Sequence, residues 1–186
     1  MTRLKTGILV YPDVEVLDFC GPFEVFLVAE TTDLVKAAGG MRVVPDHSFD
    51  TCPPLDILLA PGGWGTREQV HNPRLIEWVK SQSTGAKFVT SVCTGSFLLG
   101  QAGLLAGRRA TTHWMSLDRM RTTFPDVVVE DALHWVEDGN IFTSAGIAAG
   151  IDLALAVVAK VCGEQIARAT AKYMEYPFPE SNSRRI

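Results

Sequence analysis

The chain has 186 residues, 47% of them hydrophobic, which is enough for one sizeable core and short for two comfortable domains, so a single domain spanning 1–186 is expected. Its formal charge of −4 comes from 17 basic and 21 acidic residues, and no basic run exceeds the pairs Arg108-Arg109 and Arg184-Arg185, so nucleic acid is not an expected partner. Asp, Glu, Lys or Gly interrupts every apolar run before membrane-spanning length, the N-terminus does not read as an export signal, and the four cysteines and four histidines show neither disulfide nor zinc spacing; these features predict a reduced, cytoplasmic protein without a metal site.

Residues 6–11 form a continuous apolar run, the mark of a strand buried on both faces of a parallel sheet. Pro12-Asp13 stops it, and Gly21-Pro22 predicts a helix start with Pro in the first turn. Asp18 falls between them, either as a solvated or capping aspartate or as a carboxyl at the carboxyl edge of the sheet. The segment 23–30 reads as a helix or, in its second half, as a strand. A parallel pair needs a crossover of about a dozen residues, so 21–30 is too short for a full helix and a second strand together.

A loop over 33–40 and a short strand over 41–44 come next. A buried strand over 56–60 follows, ending at Pro61-Gly62-Gly63, where backbone N–H groups can approach a ligand closely. Asn72-Pro73 opens a helix that runs to about Ser83.

The strand over 87–91 then runs through Val92-Cys93-Thr94-Gly95 directly into an apolar helical pattern that ends near Ala102. A cysteine on such a strand-to-helix turn sits near free N–H groups and the helix dipole, which favour a thiolate. The competing reading is a packed structural cysteine.

Residues 109–114 predict a short strand ending at His113, a residue type often merely structural but placed where a base for Cys93 would be. A helix over 116–123 and strands over 127–130, 133–136 and 140–144 come next. His134 alternates with apolar neighbours and reads as surface or structural. The glycines of Ser144-Ala-Gly-Ile-Ala-Ala-Gly150 allow close approach at the start of a long helix ending near Val161. An amphipathic helix over 164–175 follows, and 177–186 reads as a loose tail.

Alternating strands and helices predict an α/β fold, a flavodoxin-like three-layer sandwich with a mostly parallel central sheet and helices on both faces. Asp18, Gly62-Gly63, Cys93-Thr94, His113 and Gly146-Ile147 all fall just after strands, on the edge where ligands gather in such folds. That convergence favours a catalytic over a structural Cys93.

With these motifs in view, the chain resembles the ThiJ/PfpI family of the class I glutamine-amidotransferase-like superfamily. The resemblance runs from Gly7-Ile-Leu-Val-Tyr through Leu17-Asp-Phe-Cys-Gly-Pro-Phe-Glu-Val-Phe26, Ala60-Pro-Gly-Gly63, Ser91-Val-Cys-Thr-Gly-Ser96 and Ala110-Thr-Thr-His-Trp114 to Thr143-Ser-Ala-Gly146. Asp18 before Gly-Pro-x-Glu-Val-Phe, with Thr94 after the cysteine, resembles the isocyanide hydratase branch. Protease-like and glutaminase-like relatives usually place histidine where Thr94 stands.

The resemblance implies a nucleophile elbow at Cys93 and Asp18 hydrogen-bonded to it as a protonated carboxyl, its pKa raised by desolvation and like charge. It also implies an anion site from the Gly63 and Thr94 amides, with Gly146 to Ala148 lining the pocket and Thr94 positioning substrate or Asp18. The implied reaction is attack of Cys93 on the terminal carbon of R–N≡C with Asp18 as acid and base, through a thioimidate to an N-substituted formamide, with no metal or organic cofactor.

Two alternatives remain at this point. One is a glyoxalase or deglycase handling 2-oxoaldehydes through Asp18, Cys93 and His113. The other is a non-catalytic stress or redox protein with an oxidisable Cys93. The family also implies a homodimer, with residues 14–17 as a contributing region. Relatives carry more chain between Phe26 and the second strand, which implies a shortened helix and altered pocket wall here, or residues missing from the sequence.

Overall fold

The computed structural model describes residues 4–16, 18 and 26–185. Among them lies a seven-stranded sheet in the order β10-β11-β7-β6-β1-β2-β5. The strands are β1 (Thr6–Leu9), β2 (Phe26–Ala29), β5 (His47–Ser48), β6 (Ile57–Ala60), β7 (Phe88–Ser91), β10 (Trp135–Asp138) and β11 (Ile141–Ser144). All neighbours run parallel except the edge pair β10 and β11, which a tight turn joins. The flavodoxin-like α/β sandwich expected from the sequence is the fold observed.

The central strands β6 and β1 are mostly apolar, and β7 and β11 each open on two apolar residues before Thr-Ser. Ile8, Leu58, Leu59, Val89 and Phe142 lie in one continuous core, and the Phe88 and Phe142 rings meet edge to face at 5.5 Å. After the short helix α1 (Thr66–Gln69), helix α2 (Pro73–Gly85) begins where Asn72-Pro73 predicts: Asn72 Oδ1 accepts from the N–H groups of Arg74 and Leu75 at 3.1 and 3.2 Å. It packs beside α3 (Ser96–Gln101), while α5 (Ala149–Cys162) and α6 (Glu164–Tyr173) form a second packed pair.

Several boundaries differ from the expectations. Of the ambiguous run 23–30, Phe26–Ala29 forms strand β2, in register with β1 from Gly7↔Phe26 to Leu9↔Val28, and 23–25 lie outside the described residues. The crossover between them comprises residues 10–25, sixteen in all, which satisfies the length a parallel pair needs. The helix start expected at Pro22 lies outside the described residues. The expected loop over 33–40 contributes β3 (Val35–Lys36), which pairs antiparallel with β4 (Arg42–Val43).

The strand expected over 109–114 is shorter. Only β8 (Arg109–Ala110) is extended, paired with β9 (Val128–Val129), and His113 instead caps a turn of 3₁₀ helix, Trp114–Ser116. Val14, expected to help a dimer form, is fully buried and bridges Gly63 within the chain, so its side chain is spent on the core.

Residues 177–185 are held at several points. Asn182 O accepts from His134 N–H and Arg184 N–H donates to Ala132 O, both at 2.8 Å. Tyr176 Oη donates to Asp152 Oδ1 at 2.8 Å, and Arg185 pairs with Asp152 Oδ2. His134 Nε2 lies 3.0 Å from that same oxygen without hydrogen-bond alignment. His134 is thus a buried neighbour of a buried carboxylate rather than a surface residue. No helix among the described residues is long and apolar enough to cross a membrane.

Candidate active site

The site is built from turns at the carboxyl ends of β1, β6, β7, β8 and β11. Cys93 follows β7 and adopts φ +55°, a left-handed conformation costly for a residue with a Cβ. Three contacts hold it there. Its N–H donates to Ala145 O at 3.0 Å, and its carbonyl accepts from Thr112 Oγ1 at 2.9 Å and Ser96 Oγ at 3.1 Å. Gly95 lets the turn press against the end of β6, because a Cβ there would run into the Ala60 carbonyl.

Asp18 is almost wholly buried. Its Oδ2 accepts from Gly62 N–H at 2.8 Å, while Oδ1 is enclosed and has no hydrogen-bond partner among the described residues. Burial first, then the charge of Glu15, pushes its pKa up to about 7 against the opposing pull of the Gly62 amide. The turn that carries Gly62 is fastened by Tyr11, whose hydroxyl donates to Pro61 O at 2.6 Å and Gly62 O at 3.0 Å. Burial and the nearby Asp18 and Cys93 charges hold the proton on that phenol.

The Cys93 thiol departs from the expectation of a thiolate. Burial, and then the Asp18 carboxylate, push it up to about 12; the Thr94 amide and hydroxyl and the Ile147 amide pull the other way but are outweighed. The helix-start N–H groups that led the sequence reading are present, and desolvation is the larger effect. Asp18 and Cys93 therefore act as a pair that takes on one negative charge near neutral pH, and the second ionisation is displaced far upward.

The Gly63 amide is not an open anion donor. It donates to Thr94 Oγ1 at 3.1 Å, and the same hydroxyl lies 3.0 Å from Thr66 Oγ1. Thr66 Oγ1 also donates to Gly63 O at 2.7 Å, so Thr66, Thr94 and Gly63 form a closed knot beside the sulfur.

Over the sulfur opens a cavity of about 240 Å³, lined by Cys93, Thr94, Gly63, His113 and Ile147 together with Trp64, Arg67, Met115 and Ser116. Of the residues expected at the site, Asp18, Gly62 and Gly146 are not among those that line this cavity. Gly146 contributes through space: a Cβ there would sit 2.9 Å from His113 Nε2 and closer still to the ring carbon, so its hydrogen is what admits the imidazole. His113 Nδ1 accepts from Met115 N–H at 3.3 Å, and burial, then Arg184, lowers its pKa, keeping the ring neutral. Ile147 carries φ +49° and faces the cavity.

Sequence reasoning missed Tyr11, Thr66 and Thr112. Tyr11 stands just past the carboxyl end of β1, a position that flags it. Thr66 and Thr112 are known as partners only once β6, β7 and β8 are folded side by side.

A mostly parallel α/β sheet with a buried cysteine on a strained strand-to-helix elbow, a buried carboxyl beside it and a small cavity above defines a class of protein. The chain belongs to the DJ-1/PfpI family, whose profile matches residues 8–160. It is 38% identical over 190 residues to the isonitrile hydratase of Pseudomonas putida, covering 97% of this chain and 82% of that protein. It is 35% identical to the HTH-type transcriptional regulator CdhR of Pseudomonas aeruginosa over 72% of this chain but 39% of the regulator.

A solved THiJ/PfpI family protein from Pseudomonas syringae superposes with a TM-score of 0.88 at 35% identity, covering 98% of this chain and 79% of that one. Drosophila melanogaster DJ-1beta shares the fold alone, with a TM-score of 0.83 at 19% identity over 95% of this chain and all of that one.

Proposed function

We propose that the protein is a cofactor-free hydratase of isocyanides, converting R–N≡C and water into R–NH–CHO. The observation that carries this reading is the buried Cys93 in the wall of a small cavity together with the buried Asp18 carboxyl, one oxygen of which has no partner among the described residues. Such a pair has one proton to move between a sulfur and a carbon. Similarity to the P. putida isonitrile hydratase over nearly the whole chain supports the choice of substrate class.

In this reading the Cys93 sulfur attacks the terminal carbon of the isocyanide. Its proton passes through Asp18 to that same carbon, giving the thioimidate R–N=CH–S. Water then adds to the carbon, Asp18 taking its proton and delivering one to nitrogen. Collapse of R–NH–CH(OH)–S forms the carbonyl, breaks the C–S bond and returns a proton to sulfur. A raised carboxyl pKa suits this work, because the group both accepts and donates near neutral pH.

Thr94 positions the sulfur through its amide and hydroxyl, and the neutral His113 closes one wall of the cavity. One observation favours a glyoxalase-type reaction instead: His113 shares the cavity with Cys93, where it could take a proton from a 2-oxoaldehyde adduct. The non-catalytic redox reading draws on the same Cys93 sulfur, and turnover of neither substrate in the assay below would favour it.

The test is to incubate the purified protein separately with an alkyl isocyanide and with methylglyoxal, following formamide and lactate. Formamide release that disappears in Cys93→Ala supports the reading. Lactate without formamide replaces it with the glyoxalase reading. We further propose that the protein acts as a homodimer, tested by its mass in solution.

A further inference from the structure

Beyond Ala110 the chain leaves the β8 ladder, and residues 111–113 run without strand pairing to the 3₁₀ turn and helix α4 (Leu117–Thr123). This short segment serves the site twice. Thr112 Oγ1 donates to the Cys93 carbonyl at 2.9 Å, and His113 lines the cavity. A nucleophile at φ +55° stays there only while such contacts outweigh the backbone cost, so whatever fixes Thr112 bears on the sulfur.

Part of that hold comes from far along the chain. Arg184 Nη2 donates to Thr111 Oγ1 at 2.5 Å and to Thr112 O at 3.3 Å. The Thr111 hydroxyl donates in turn to Glu130 O at 2.6 Å, and the Thr111 N–H donates to Thr143 Oγ1 at 2.8 Å. Thr111 and Thr112 are fully buried, so a group that lost its partner there would not regain one from bulk water.

The guanidinium arrives in a fixed place because its backbone is fixed. Residues 182–184 lie antiparallel along 132–135: Ser183 bridges Leu133, and Arg184 N–H donates to Ala132 O at 2.8 Å. The Asn182 side chain bonds both Trp135 N–H at 3.0 Å and Trp135 O at 2.8 Å. A segment registered in this way on the edge of the sheet can direct one side chain to the turn that carries Thr112 and His113. The charge of Arg184 also helps to keep the His113 ring neutral.

We propose that Arg184 is a positioning residue for the reaction: by holding Thr112 it keeps the Cys93 elbow in its strained conformation, and so sets the aim of the nucleophile. The effect on turnover rests on the hydratase reading, and the effect on the elbow rests on these contacts alone. A displacement of about 1 Å at a reacting atom can cost about a hundredfold in rate. A contact that only adds stability would leave the reactivity of the sulfur in the folded protein unchanged.

Two readouts on the whole chain test this. The first is alkylation of Cys93 by iodoacetamide, followed by mass spectrometry against Cys52, a half-buried thiol just past β5 at the opposite edge of the sheet. In Arg184→Met the relaxed elbow should open the sulfur to the reagent and raise the ratio of Cys93 to Cys52 alkylation at least about fivefold, the scale of one lost hydrogen bond. The second is isocyanide turnover, where kcat should fall at least about tenfold with KM within about threefold. Arg184→Lys, which keeps a donor, should recover most of both. Thr112→Val should reproduce both, and the double variant should lie within about threefold of Thr112→Val alone, because the two residues act through one contact.

An unchanged alkylation ratio in Arg184→Met overturns the proposal, whether neither thiol reacts faster or both do, the latter marking general loosening. An unchanged kcat does the same where the parent is active. Losses that multiply in the double variant overturn it too, since Arg184 would then act by another route. If the parent hydrates no isocyanide, the hydratase reading falls, and the alkylation ratio still decides whether Arg184 positions the elbow.

Discussion

Thr94 Oγ1 stands 3.1 Å from Gly63 N and 3.0 Å from Thr66 Oγ1, so one hydroxyl closes the glycine turn after β6 against the elbow after β7. It also helps draw charge toward the sulfur. Thr94→Val leaves the Gly63 amide unpaired at a cost of about 1–3 kcal/mol and removes a donor to Cys93. Isocyanide kcat/KM is expected to drop about tenfold to a hundredfold, the range of a lost charge-stabilising contact. Thr94→Ser, which keeps the oxygen, should stay within about threefold.

Asp18 sets the pH response. Its folded pKa is raised from an unfolded value near 4 to about 7, so the folded state holds a proton that the unfolded state has lost between these limits. Stability is fully present below pH 4 and declines as pH rises through 7, by roughly 4 kcal/mol at most. Asp18→Asn keeps a carbonyl oxygen for the Gly62 amide and has no proton to lose. Thermal melting should therefore show the variant gaining on the parent as pH goes from 5 to 8, with hydration abolished. In the parent, the rate should rise with pH through about 7, as the Asp18–Cys93 pair takes on its charge.

Gly146 makes room for the His113 ring. Gly146→Ala forces the imidazole to turn and break its bond from Met115 N–H, at an expected cost of about 1–3 kcal/mol. The double variant Gly146→Ala with His113→Ala removes the clash and should melt at least as high as Gly146→Ala alone. A lower melting temperature for the double variant would show that the glycine acts through something other than the ring.

Asp152 gathers Tyr176, Arg185 and the neighbouring His134 at the first turn of α5. Asp152→Ala leaves the half-buried Tyr176 hydroxyl and the exposed Arg185 without their partner, and unfolding by denaturant should show a loss of about 1–3 kcal/mol. Protease sensitivity should rise first within 176–185, the segment this carboxylate ties down.

The sequence-to-structure record divides along physical lines. Apolar runs announced β1 and β6, β-rich stretches opening on apolar residues announced β7 and β11, and small residues after them announced the turns. The run Phe26-Leu-Val-Ala29 stayed ambiguous, since an all-apolar stretch has no period from which to choose helix or strand. The two-residue polar edge strand His47–Ser48 left no signal.

At the site, Asp18, Cys93 and His113 were legible because each falls just past a strand. The protonation of Cys93 was not, since it depends on how deeply the folded chain encloses the sulfur. The Thr94–Gly63 bond and the stacking of Arg119 on Phe97 depend on which segments become neighbours in three dimensions.

The turns that build the site follow five different strands, so no two of Asp18, Gly62, Cys93, His113 and Ile147 come from the same local segment. A fragment that lacks one of these strands lacks part of the site, and sheet assembly must be almost complete before Asp18 and Cys93 come together. Because contacts between distant segments form slowly, recovery of activity after dilution from denaturant should trail the recovery of helical signal, making turnover a late clock for folding.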